Sequence, residues 1–113
     1  MTHSYSEKVS MSIGIPAAVV LWRLCERVLE NMDSGTGCFN GKWYTEATAE
    51  RLQEELPDLT ISQVRYAFGK LTKNGMIAAA SFASGHKYNT KWYTVTPYGW
   101  SCMDDAKVAL GVR

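Results

Sequence analysis

Acidic residues are absent from one long stretch of this chain: between Asp58 and Asp104 there is not one Asp or Glu in forty-five residues. Such a gap excludes carboxylate-based acid–base chemistry and carboxylate metal ligation from that stretch. Histidine is equally scarce, with His3 and His86 alone. The three cysteines, Cys25, Cys38 and Cys102, lie 13 and 64 positions apart and form no C-x-x-C pair. That spacing fits neither a zinc site nor a disulfide framework, and it points to reduced thiols and a cytoplasmic setting. The longest apolar run, Ile13–Trp22, spans ten residues and is interrupted by Gly14 and Pro16. It is too short to cross a bilayer, and it continues as a helical pattern rather than into a small-residue cleavage site. A Gly-rich phosphate loop, a Ser/His/Asp or Cys/His arrangement and a paired-acid pocket are all missing. The chain therefore reads as a non-enzyme, with no cofactor, no metal, no small-molecule substrate and no membrane partner.

What is present is charge segregation. The acid-free stretch carries Arg65, Lys70, Lys73, Lys87 and Lys91, with His86 in addition, whereas the first 58 residues hold nine acids against five bases. A formal total of +1 thus conceals a polarised molecule. Cations gathered without acids are the electrostatic footprint of a polyanion-binding face.

The hydrophobic periodicity then places these cations on elements. Residues 1–12 are polar and Ser-rich, a flexible N-terminal segment, followed by a single domain over 13–113. Pro16 opens a helix over about 16–32, with Ala17, Val20, Leu21, Leu24, Val28 and Leu29 on one stripe. Asp33–Gly37 breaks it. Lys42-Trp43-Tyr44 is a short candidate strand after Asn40-Gly41. Thr45 caps a second helix over about 46–56, which Pro57 stops. Thr60 and Gln63 have capping-box spacing at the head of a third helix, 60–74, with Val64, Ala67, Phe68 and Leu71 inward and Asn74-Gly75 at its end. Met76–Phe82 and Lys91–Thr96 read as strands around a loop, Ala83–Thr90. Of Trp92 and Tyr93, one faces outward. Thr96-Pro97 starts a final helix lined by Trp100, Met103 and Leu110.

The order of elements predicts an α+β fold, mainly helical: a winged helix-turn-helix with a small antiparallel sheet and a C-terminal helix. In such an arrangement the second helix of the pair enters the major groove and the hairpin flanks it. Thr60, Ser62, Gln63, Arg65, Tyr66, Lys70 and Lys73 are the candidate DNA-binding residues of helix 60–74. His86, Lys87 and Lys91 are those of the wing, 83–91. Ser62 and Gln63 sit where such helices meet base edges, Arg65 suits guanine or phosphate, and Lys70 and Lys73 suit phosphates. The Glu-rich helix 46–56, with Glu46, Glu50, Glu54 and Glu55, reads as a solvated face.

Several segments, taken in order, resemble the winged-helix domain of phage and mobile-element replication proteins, of the replication-initiator or replisome-organiser type. They are Ile15–Trp22, Lys42-Trp43-Tyr44, Leu52–Pro57, Leu59–Phe68, Lys70–Ile77 and Lys91–Val95, together covering about residues 13–96. The resemblance implies sequence-specific binding of double-stranded DNA in replication initiation or transcriptional regulation. Tyr66 and Gly69 stand where relatives usually carry Lys or Arg. Relatives that act in replication continue into a separate partner-binding region, whereas this sequence ends at Arg113, which leaves a stand-alone small protein or a regulatory role as the expectation. Thr96-Pro97-Tyr98-Gly99 also looks like the T-P-x-G ending of dimeric winged-helix repressors. With Val19, Trp22 and Cys25 adding apolar surface to the first helix, a homodimer through the first and last helices is expected. The alternative is a protein-interaction module of the same fold, docking on a replisome or anti-defence partner without binding DNA.

Overall fold

One long helix organises the molecule. A computed structural model describes residues 4–80, 92–106 and 110. Helix α1 (Glu7–Ile13) leads into α2 (Ile15–Ser34), a hairpin of β1 (Cys38–Phe39) and β2 (Lys42–Trp43), and β3 (Thr45–Glu46). Helices α3 (Ala49–Glu55) and α4 (Ile61–Lys73) follow, then β4 (Ile77–Ala79), β5 (Trp92–Val95), α5 (Pro97–Cys102) and a 3-10 turn, Asp104–Ala106. The fold is α+β, with more helix than strand. The main sheet is antiparallel with order β3-β5-β4, Thr45 lying opposite Tyr93 and Ile77 opposite Val95. The predicted wing, 83–91, lies outside the described residues, as do Phe82 and Lys91 at the strand ends.

Helix α2 is buried on nearly all sides: Ala17 through Trp22, Leu24, Cys25 and Val28 are all core. It packs against α1, α4, β3 and β5. Val9 and Ile13 cover it from α1, Val64, Ala67, Phe68 and Leu71 from α4, and Ile77 and Val95 from the sheet. At roughly 1.5–3 kcal/mol per large apolar side chain removed from water, this single cluster supplies most of the driving force for folding.

Three expectations change. Residues 7–13 are not loose chain but a helix: the Ser6 hydroxyl accepts from Val9 N at 3.2 Å and donates to Asp105 Oδ1 at 2.6 Å. The second helix starts three residues later than its sequence suggests, because Thr45 and Glu46 are drawn into the sheet by β5 and Thr48 becomes the cap, accepting from Arg51 N at 3.1 Å. The surplus apolar surface invoked for a homodimer is covered within the chain. Val19, Trp22 and Cys25 are buried, Met103 is fully buried, and Trp100 and Leu110 pack on the core. The T-P-x-G residues have intramolecular tasks as well. Thr96 Oγ1 accepts from Gly99 N at 3.0 Å and donates to the Gly75 carbonyl, and a side chain at Gly99 would run into the Met76 carbonyl.

The hairpin turn follows from Asn40-Gly41, both at positive φ (53° and 77°), as a two-residue type I′ connection requires. It lays Phe39 against Trp92, ring centroids 5.5 Å apart, while Tyr93 stacks on Phe68 at 4.9 Å. Both rings of the Trp92-Tyr93 pair are thus half-buried, one on each face of β5. Among the described residues, no helix is long and apolar enough to cross a membrane.

Ser6 fastens the two ends of the described chain. Ser6→Ala should cost about 0.5–2 kcal/mol, the usual loss of a helix cap, in urea unfolding at neutral pH. The Ser6 hydroxyl holds the Asp105 carboxyl below its ordinary range. That part of the stabilisation is present above the unfolded Asp value and is lost as pH falls through the lower folded one. The gap between wild type and Ser6→Ala should therefore narrow on acidification below about pH 4, where an unperturbed Asp takes up its proton.

Candidate nucleic-acid interface

Helix α4 is set by two local features, its cap and its stripe. Thr60 Oγ1 accepts from Gln63 N at 3.1 Å, and Gln63 Oε1 accepts from Thr60 N at 2.8 Å. The reciprocal cap satisfies two of the N–H groups that every helix start leaves open. In the free chain, therefore, the Gln63 carboxamide serves the cap, with only its NH2 group left for a partner. At the other end Asn74 caps the helix and Gly75, at φ 73°, turns the chain out of it. Val64, Ala67, Phe68 and Leu71 are buried, so at about 100° per residue Ser62, Arg65, Tyr66, Gly69, Lys70 and Lys73 share the opposite side.

That side is open. Thr60, Ser62, Gln63, Arg65, Tyr66, Gly69 and Lys73 are exposed, and Lys70 is half-buried. Tyr66 is 67 % exposed, and the Lys70 ammonium lies 5.5 Å from its ring centroid. An exposed cation–π contact of this kind is worth about 0.5–1 kcal/mol, enough to favour the ammonium over the ring face. His86, Lys87 and Lys91 lie outside the described residues.

Arg65 is not free. Its Nη2 donates to Glu50 Oε1 at 2.8 Å, across the turn from α3, and both side chains are 63 % exposed. The Arg65 hydrogen bond holds the Glu50 carboxyl below its ordinary range. Glu50 also stands in the first turn of α3, where the helix dipole favours an acid. Glu50 was expected on a solvated face; it is exposed, and its carboxylate is engaged by Arg65. The readable signal was its place in the turn just after the Thr48 cap, facing the helix beyond Pro57. Glu55, from the same Glu-rich helix, ties α3 to α2: Arg23 Nε donates to it at 2.6 Å, and Arg27 Nη1 approaches its other oxygen at 3.3 Å. Beside α4 runs a groove of about 730 Å³ floored by Phe68 and Tyr93, with Glu50, Arg65 and Lys73 on its rim.

Among the described residues, no group of three or more His, Cys, Asp or Glu side chains is placed to hold a metal ion. Cys25 is buried beside Met103, with sulfurs 3.4 Å apart, and burial pushes its thiol well above the ordinary value. A thiol so placed is inert packing, not a nucleophile. No protein-family profile, curated protein or solved structure matches the chain.

Gly69 of α4 and Gly99 of α5 should respond oppositely to alanine. A Cβ at Gly69 meets nothing within 4 Å. Gly69→Ala should therefore stabilise the protein by up to about 1 kcal/mol through helix propensity alone. Gly99→Ala drives a methyl into the Met76 carbonyl and should destabilise by about 1–3 kcal/mol, the range for overpacked sites. Thermal melts of the two variants check both signs.

Proposed function

We propose that the chain is a winged helix-turn-helix module that binds double-stranded DNA through the outward side of α4. The observation that carries this reading is the arrangement on that side. Three cations, Arg65, Lys70 and Lys73, stand with Ser62 and Tyr66 on one exposed helix face, within a stretch that contains no acid. An α-helix fits the major groove, lysines near its end suit phosphates, and an arginine near its start suits a guanine edge. The element order supports the reading too: α2, β3, α3, α4, β4 and β5, with β5 central in the sheet, put α4 after a tight turn and ahead of a strand pair. The role in the cell that goes with it is replication initiation or transcriptional regulation in a phage or mobile element, as the resemblance of segments 15–22, 42–44, 52–57, 59–68, 70–77 and 91–95 implies.

A second reading, docking on another protein, draws on the groove beside α4. Its floor of Phe68 and Tyr93 offers apolar contact, and Glu50 at its rim repels phosphate.

Salt titration separates the two. With three to five phosphate contacts, log K for a random-sequence duplex should fall against log salt with a slope of about −3 to −4.5. Lys73→Ala should weaken all duplexes alike and flatten the slope by about one unit. A chain that binds no duplex at low salt leaves the protein-docking reading in place of this one.

A further inference from the structure

The Glu50–Arg65 pair contributes little to holding the fold together. Both side chains are 63 % exposed, so water and salt screen the pair, and an acid at the edge of a DNA-binding face opposes phosphate. Its geometry serves a different end. Arg65 donates one Nη2 hydrogen to Glu50. A guanidinium carries five N–H groups in a rigid plane. Whichever Nη2 hydrogen is engaged, one parallel pair of donors stays open: the Nη1/Nη2 edge or the Nε/Nη2 edge. That is the donor pair that guanine O6 and N7 accept in the major groove. Without a neighbour, an exposed arginine swings to the nearest phosphate, a contact blind to sequence. The Glu50 carboxylate holds the plane by one corner and keeps phosphates at a distance.

We infer that Glu50 is a positioning residue for base reading: it orients Arg65 toward a guanine edge and makes that contact selective at the expense of sequence-blind affinity. This rests on the proposal that α4 binds duplex DNA. Glu50 is the specificity determinant acting from the neighbouring helix, and Arg65 is the residue that touches the base. Lys70 and Lys73, further along the helix, supply phosphate contacts whichever way Arg65 is held.

The test is selection and competition with a duplex pool whose centre is fully randomised, on wild type, Glu50→Gln, Arg65→Ala and the double variant. Wild type should prefer one G·C pair by about tenfold or more. Glu50→Gln should lose most of that preference while binding the unselected pool several-fold more tightly. Arg65→Ala should lose the same preference, and the double variant should be no less selective than Arg65→Ala alone, as expected for two residues acting through one contact. Both positions are exposed, and unchanged thermal melts confirm that the folds are intact. If Glu50→Gln tightens every duplex equally and keeps the base preference, Glu50 is only a charge screen and the inference fails while duplex binding stands. If wild type binds no duplex from the pool, the inference fails together with the reading beneath it.

Discussion

The burial of Val64, Ala67, Phe68 and Leu71 against α2 decides what this protein presents to its surroundings. One stripe of α4 is removed from water, so the opposite stripe is fixed outward in register: Ser62, Arg65, Tyr66, Gly69 and Lys73. Rotating the helix by one residue toward Arg65 would bury that charge and expose Ala67 and Leu71, a loss of several kcal/mol at the least. The cap at Thr60 and Gln63 pins the start of the same helix, and Gly75 ends it. The surface chemistry of α4 is thus dictated by its core-facing side.

The rest of the molecule holds that helix in place. Helix α2 receives α4 on one flank and α1 on another, and the Ser6–Asp105 bond closes α1 onto the end of the described chain. Helix α3 is tethered at both ends, Glu55 to Arg23 and Arg27 of α2 and Glu50 to Arg65 of α4. None of these exposed or half-exposed pairs is a large stabiliser alone. Helix α3 thus lies beside both α2 and α4, where Glu50 reaches Arg65.

Local rules made α2 and α4 legible. The Pro16 start, the three-and-four spacing of apolar residues, and the Thr60/Gln63 cap act within a few positions, and α4 begins and ends where they say. What was hidden depends on partners far along the chain. Helix α1 has only Val9 and Ile13 inward and relies on Asp105, 99 positions from Ser6. Thr45 looked like a helix cap until β5 claimed it for the sheet, leaving the task to Thr48. Met103, expected on a continuous last helix, follows a helix that stops at Cys102. The apolar surplus that suggested a dimer is taken up within the chain, with Val19, Trp22, Cys25 and Met103 buried and Trp100 and Leu110 packed on the core. On α4, the Thr60/Gln63 cap and the set of outward residues were legible from spacing, but the engagement of Arg65 by Glu50 was not, because it joins two helices across a turn.

The outward side of α4 is proposed as the surface that meets DNA. Amide chemical-shift mapping of the labelled protein with a short duplex at low salt tests it most directly. The expected result is that Ser62, Arg65, Tyr66, Gly69 and Lys73 shift early and together, while Val9 and Ile13 of α1 stay in place. Shifts concentrated on α1 and the 3-10 turn with α4 unmoved, or no shifts anywhere, would contradict it.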